Sequence, residues 1–220
     1  MGWFSSVASF VSGAVSSIAS GLSAAFSTAV SAVVSAGSAA LGVVQSIAQT
    51  LGIFQPGEKI EEAGDKALHA SEAGIRPANY ASHAEYMNEL RSFEVDPAKA
   101  DKYTPEQKKA AGVTVAMMGI SDKFGMSEHL VSSMMLLVAA NPTFFGAARM
   151  VAALRMGSGF VENMVDYFAN DLNPAQSKNT EQAMWAQEQQ LNSASSEDDF
   201  LAEVDRTLEE IKQKQAGADL

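Results

Sequence analysis

The sequence predicts an all-α protein with a long uncharged N-terminal helix or hairpin, then a small helical bundle, and last an acidic amphipathic C-terminal helix. Three observations predict this fold. Serine and bulky apolar residues repeat with a helical period through residues 1–57, Thr104–Gln107 is a helix-start signature, and apolar residues from Phe200 to Ile211 recur at helical spacing. Composition divides the chain into four regions: 1–57, 58–105, 106–174 and 175–220.

Charge is distributed very unevenly along the chain. The 220 residues include 15 Lys and Arg and 26 Asp and Glu, for a net charge of −11, yet the first charged residue is Glu58. An acidic chain lacks the clustered cations that phosphate binding requires, so no nucleic-acid partner is expected. Because the chain has no cysteine, disulfides, cysteine zinc sites and thiol catalysis are excluded.

The uncharged segment has a clear helical period. Ten serines from Ser5 to Ser38 are three or four residues apart, with a mean of about 3.67 residues per turn. Bulky apolar residues keep the same spacing, so one face is apolar and another carries hydroxyls. We interpret the apolar set as lipid-facing: Phe4, Val7, Val11, Val15, Ile18, Leu22 and Phe26. We interpret the serine set as pore-lining: Ser5, Ser12, Ser16, Ser20, Ser23, Ser27 and Ser31.

Small residues also recur every four positions in this segment. Such runs let helix backbones approach closely, which drives helix association in lipid. We assign this packing role to Ser9, Gly13, Ser17, Gly21 and Ala25. Serine, glycine and valine form helices poorly in water, so the segment needs a partner surface: lipid, copies of itself or the rest of the chain.

Two alternatives concern the shape and environment of the segment. It could form one helix of roughly 78 Å at about 1.5 Å per residue, or a hairpin broken near Gly37 or Gly21. It could insert into a membrane, or form a buried scaffold whose hydroxyls bond back to the preceding turn. The segment lacks the basic n-region of a secretory signal peptide.

The remaining regions are predicted as helices joined by polar turns. Region 58–105 is a polar linker with a charged helix over 58–75 and another near His83–Phe93. In region 106–174, Thr104 caps a helix that runs towards Gly119, and Ser127 starts the next. No charge occurs from Leu130 to Ala148, where Asn141-Pro142 interrupts the helix. We interpret this stretch as bundle core, with a kinked membrane hairpin as the alternative. Region 175–220 holds the acidic helix, capped by Ser195–Asp198.

The residues give no sign of enzyme chemistry. His69, His83 and His129 are far apart in the sequence, and none has metal-ligand spacing. His83 with Glu85 is interpreted as a surface pair. No phosphate loop, nucleophile elbow or catalytic triad order is present. We therefore expect a non-enzymatic protein with no catalytic residue, metal or cofactor.

Four features of the sequence together resemble one known family. They are the uncharged Ser/Ala/Gly run, the missing signal peptide, the acidic remainder, and the small-residue zipper at Ser9, Gly13, Ser17 and Gly21. These features resemble the pore-forming antibacterial effectors of the type VI secretion system. The resemblance implies a protein that is soluble in the producing cell, leaves without a signal peptide and inserts into the inner membrane of a target cell. It further implies a ring-shaped carrier, a cognate immunity protein, and self-association in membrane lipids that dissipates ion gradients.

Bacteriophage pilot or ejection proteins also begin with small-residue, charge-poor helices. The alternative hypothesis is therefore an internal virion protein whose N-terminal helices form a conduit or a packed multi-copy bundle. The toxin hypothesis predicts a monomer or a carrier-bound form in plain buffer. The virion hypothesis predicts a stable oligomer.

Overall fold

The chain folds into helices joined by short turns, with no strand among the residues described. The computed structural model describes the backbone of residues 11, 13–19, 21–99 and 101–218, and side chains as far as residue 214. Residues 13–18 are helical. The helices that follow are α1 (Ala24–Ala36), α2 (Ser38–Thr50), α3 (Ile60–Glu72), α4 (His83–Ser92), α5 (Pro105–Phe124), α6 (Glu128–Ala140), α7 (Ala147–Met156), α8 (Ser158–Ala169), α9 (Pro174–Leu191) and α10 (Glu197–Ala218).

The uncharged segment is broken at both glycines that the sequence singled out. Gly21 has a φ of 104° and Gly37 a φ of 84°, a conformation that side-chain-bearing residues rarely adopt. Ser23 caps α1 by accepting a hydrogen bond from the Phe26 backbone N–H. At Gly37 the chain turns by 119° between α1 and α2. We call α1 and α2 the uncharged helix pair.

The apolar side of the uncharged helix pair lies in the same core as the rest of the protein. Phe26, Val30 and Val33 of α1, with Val44 and Ile47 of α2, are fully buried. Helix α1 packs on α5 and α6, and α2 packs on α5, α6 and α7. The pair therefore forms part of one hydrophobic core that extends to Ile211.

The closest helix crossing joins α3 to α5. A methyl group at Gly64 would overlap the Lys108 carbonyl oxygen, and one at Gly112 would overlap the Ile60 carbonyl oxygen. Only glycine lets two backbones approach this far, so these residues fix where the helices cross.

Several helix boundaries predicted from sequence are confirmed. Thr104 and Gln107 form a reciprocal capping box at the start of α5, and Ser127 caps α6. Helix α6 ends at Ala140, immediately before Asn141-Pro142. One boundary was wrong: α5 continues past Gly119 to Phe124, where Gly125 ends it in the left-handed conformation. Gly119 therefore does not end the helix. It lies inside α5, where the side chains of His83 and Ile53 pack so close that a larger residue would not fit.

The acidic C-terminal helices are attached through a largely buried arginine. Arg149 of α7 pairs with Glu188 of α9 at 2.7 Å and with Glu203 of α10 at 3.7 Å. Its guanidinium also lies over the Phe144 ring, 4.1 Å from the centroid. A single cation therefore ties both C-terminal helices to the core.

Candidate functional site

The residues predicted to face lipid lie inside the protein in this structure. Val11, Val15, Ile18 and Phe26 are buried, and Leu22 is partly buried against the core. Phe4 and Val7 lie outside the described residues. The prediction of a continuous apolar stripe agrees with this burial, but the surface that covers the stripe here is protein.

The predicted pore-lining serines lie on the opposite side of the segment. Ser16 and Ser23 are exposed, while Ser27 and Ser31 are partly buried. Ser5, Ser12 and Ser20 lie outside the described residues. The described serines therefore sit at or near the protein surface, as expected for the hydroxyl face of an amphipathic helix.

The described residues of the predicted small-residue zipper lie at the protein surface. Gly13, Ser17, Gly21 and Ala25 are exposed, and a methyl group added at Gly13 or Gly21 would meet nothing within 4 Å. Ser9 lies outside the described residues. Some hydroxyls on this surface bond to their own helix: Ser17 donates to the Gly13 carbonyl at 2.8 Å, and Thr28 to the Ala24 carbonyl at 3.0 Å.

Hydrogen bonds from the charged part of the protein hold the two ends of the uncharged helix pair. Before α1, the Ser23 N–H donates to a Glu128 carboxylate oxygen at 3.2 Å. On α2, Gln45 accepts from the Ile60 N–H at 3.2 Å, and Gln49 donates to the Glu58 carbonyl at 2.9 Å. These hydrogen bonds therefore lie before α1 and in the second half of α2, while the apolar side of α1 packs in the core.

Arg91 of α4 makes three hydrogen bonds with residues 51–58, the chain that follows α2, which we call the exit from the helix pair. Its guanidinium donates to the Ile53 carbonyl at 2.8 Å and to both Glu58 carboxylate oxygens, at 2.9 and 3.1 Å. Burial raises the pKa of Glu58, but hydrogen bonds from Arg91 and the Gln55 N–H outweigh it, so this pKa lies below its usual value. Sequence reasoning missed Arg91, since nothing in a lone arginine shows which distant carbonyl it will reach.

His83 lies between two cavities, the first beside the chain that precedes α1 and the second beside the exit from the helix pair. One cavity has a volume of about 320 Å³ and the other about 280 Å³, and His83 lines both. The first cavity is lined by residues from five parts of the fold, including Ile18, Leu22, Arg76, Tyr80, Asp122 and Glu128. The second includes Leu51, Ile53, Met87, Arg91, Gly119 and Lys123.

The His83 imidazole is packed against α5 in a position where a charge is costly. Its Nε2 atom is buried with no hydrogen-bond partner, and a methyl group at Gly119 would press on the ring. Burial lowers the pKa of His83 to about 4, against the opposing pull of the Asp122 carboxylate. The interpretation of His83 with Glu85 as a surface pair was wrong, because Glu85 bonds back to the Ala81 N–H while the His83 ring packs inward.

The imidazole has an aromatic neighbour that is also unsatisfied. Tyr86 lies 5.7 Å from it between ring centroids, is fully buried, and has a hydroxyl with no hydrogen-bond partner. Burial raises the pKa of that hydroxyl, so both rings are neutral at pH 7. The start of α4 therefore packs inward through two uncharged rings, and neither the His83 Nε2 atom nor the Tyr86 hydroxyl makes a hydrogen bond.

Within the described residues, no group of three or more His, Asp or Glu side chains is placed to hold a metal ion. In the same part of the chain, no one helix is both long and apolar enough to cross a bilayer, whereas α1 and α2 together meet the length and composition despite their bend. No family model, curated protein or solved structure matches this chain.

Proposed function

We propose that this protein is a non-enzymatic pore former whose uncharged helix pair leaves the core and inserts into a membrane. The observation that carries the proposal is a helix pair, residues 24–50, with no charged side chain on either face and its apolar side packed inward. An ordinary surface helix carries charges on its outer face, and those charges would bar it from lipid. This pair presents only small and uncharged polar residues there, such as Ala25, Thr28, Ala39 and Ser46.

The composition of the pair reduces two of the costs of such a transfer. Lipid can replace the protein core around Phe26, Val30 and Ile47, so their apolar area stays out of water. The hydroxyl of Thr28 already bonds to its own helix, which lowers the cost of taking it out of water. The remaining cost is the opened core over α5 and α6, which the rest of the protein or further copies must cover.

The bend at Gly37 determines whether the pair can span a bilayer. Each helix has 13 residues, about 20 Å at roughly 1.5 Å per residue, which is too short alone. Straightened at Gly37, residues 24–50 reach roughly 40 Å, enough for a hydrocarbon core of about 30 Å. One residue in an unusual backbone conformation thus separates the packed form from a spanning form.

Assembly of several copies would complete the pore. Exposed small residues such as Gly13 and Ala25 let inserted helices approach, and Ser16, Ser23, Ser27 and Ser31 would line a polar path. By the resemblance to type VI secretion effectors, we propose delivery on a ring-shaped carrier to the inner membrane of a target cell. A cognate immunity protein would protect the producing cell.

The test is leakage of dye from anionic phospholipid vesicles by full-length protein with one lysine added. Ala36→Lys and Ala39→Lys place a cation on exposed positions on either side of Gly37, at the middle of the straightened pair, so the packed form tolerates them. A cation near the bilayer centre costs about 2.5–3.5 kcal/mol, so we expect leakage to fall at least tenfold. The matched control is Ala186→Lys on the exposed face of α9, which should leak like the wild type.

Removing residues 1–57 is a poorer test, because the uncharged helix pair fills the core and the remainder would be destabilised. Equal leakage by all three lysine variants would overturn the proposal. Absence of leakage by the wild type, together with a stable oligomer in light scattering without lipid, would favour the internal virion protein. The open space around Gly13 and Gly42 is the surface such an oligomer would use.

A further inference from the structure

Helix α4 holds the exit from the uncharged helix pair at two points. Near its end, Arg91 donates to the Ile53 carbonyl at 2.8 Å. At its start, the His83 ring and the Ile53 side chain both abut Gly119 of α5, close enough that neither leaves room for a methyl group there. Ile53 therefore contacts both α4 and α5, and the chain that follows α2 can leave only if the contact with Arg91 on α4 breaks.

The notch around the His83 ring suits a neutral imidazole. The ring faces the glycine backbone of α5 and the side chain of Ile53, and its buried Nε2 has no acceptor in reach. Charged and titratable groups surround it on every packed element: Asp122 and Lys123 on α5, Arg91 and Tyr86 on α4, Arg76 and Tyr80 before α4, and Glu128 on α6. The Asp122 carboxylate accepts a hydrogen bond from the His83 backbone N–H, at 3.2 Å, and not from the ring nitrogen Nε2.

We propose that α4 is an acid-sensitive latch, and that protonation of the His83 imidazole detaches α4 from α5 and frees the exit of the uncharged helix pair. The inference rests on the proposed function, since it names the signal that starts insertion. A protonated ring would place a charged Nε2–H against Gly119 with no acceptor. Movement of α4 away from α5 would open this buried contact to water from the two cavities that His83 lines. When α4 moves, Arg91 moves with it and gives up the Ile53 carbonyl.

The sign of the pH effect follows from the depressed pKa of His83. In the closed form its pKa is about 4, against 6.5 when the ring is exposed, so the open form binds more protons between these values. The closed form is therefore fully favoured above pH 6.5 and loses stability as the pH falls towards 4. For this one site, the opening equilibrium rises about 30-fold between pH 8 and pH 5.

Thiol labelling measures the release directly, because the chain has no cysteine of its own. Ala48→Cys places a fully buried thiol on α2, and Ala67→Cys places one on α3 beside the α5 crossing. The probe is 4,4′-dithiodipyridine, which reacts in acid. We expect labelling of Cys at position 48 to accelerate at least tenfold from pH 7 to pH 5, while position 67 stays protected because α3 and α5 remain packed.

Two substitutions at the latch test the role of the imidazole. In the Ala48→Cys background, His83→Gln removes the titrating group, and His83→Phe, which keeps an uncharged ring, replaces it if the first variant does not fold. Both should label at one slow rate from pH 7 to pH 5. His129→Gln, on an exposed histidine of α6, is the matched control and should keep the wild-type acceleration.

The outcomes separate the latch from the pore. The latch is overturned if the labelling rate at position 48 does not change with pH, or if it rises equally in the His83→Gln variant. It is also overturned if position 67 is labelled as fast as position 48 in acid, because that result indicates global unfolding. Acid-dependent labelling that requires His83 supports it. Labelling without vesicle leakage supports the latch and overturns the pore, whereas leakage as fast at pH 7 as at pH 5 supports the pore and overturns the latch.

Discussion

Two helix pairs in this protein are built with glycine, and the glycines do different things. In the uncharged helix pair, Gly42 has open space where a side chain would be, and Gly37 supplies a turn. In the crossing of α3 and α5, Gly64 and Gly112 press directly on the backbone of the facing helix. A small residue thus marks a close contact only where a partner helix is present.

The comparison extends to how each pair is held. Helices α3 and α5 carry charges, and Lys108 and Lys109 on α5 pair with Asp65 and Glu61 on α3, at 3.2 and 3.5 Å. The uncharged helix pair has apolar packing along its length, and among the described residues its hydrogen bonds to the charged part come from Ser23 before α1 and from Gln45 and Gln49 of α2. Charged side chains on α3 and α5 resist transfer to lipid, whereas the uncharged helix pair has the composition that the proposed transfer requires.

The largest expected effect tests whether the uncharged helix pair is packed in solution. Phe26 is fully buried on α1, so Phe26→Ala should lower the free energy of unfolding by about 3–5 kcal/mol. Urea unfolding at pH 7, followed by circular dichroism, measures it. Thr28→Ala, on the exposed side of the same helix, should change stability by no more than about 0.5 kcal/mol. A loss below about 1 kcal/mol for Phe26→Ala would show that α1 does not contribute to the core.

The next largest effect concerns the glycines at the crossing of α3 and α5. Gly112→Ala forces the Ile60 carbonyl away and should destabilise the protein by about 3 kcal/mol, since backbone on both sides cannot yield. Gly64→Ala should act similarly, and the double variant should cost less than the sum because the first substitution already separates the helices. Additive losses, measured by the same unfolding method, would mean that the two glycines do not share one crossing.

The smallest effect has the opposite sign and lies in the uncharged half. Gly42 is inside α2 with nothing near its missing side chain, so Gly42→Ala should stabilise the protein by about 0.5–1 kcal/mol. Gly37→Ala should instead destabilise by about 1 kcal/mol, because alanine resists a φ of 84°. A loss of stability for Gly42→Ala would reveal a helix packed against this face in solution, as the virion hypothesis requires.

Local signals predicted the helices well but not their partners. Thr104, Ser127 and Pro142 mark helix boundaries through hydrogen bonds or a missing N–H within a few residues, so the sequence contains the whole cause. The contact between His83 and Gly119 joins residues 36 positions apart, and no local rule pairs them. For the same reason the Arg91 contact with Ile53 could not be foreseen.

By itself, the sequence determined that residues 1–57 carry no charge and that their apolar residues recur with a helical period, and it named Gly21 and Gly37 as the positions where a hairpin would break. These properties follow from side-chain chemistry and the helical period alone. Only the tertiary structure decided what covers that apolar face, which small residues make close contacts and where an imidazole is buried. Burial and contact arise from segments far apart in the chain, and the free energy of bringing them together depends on the complete set of packed surfaces.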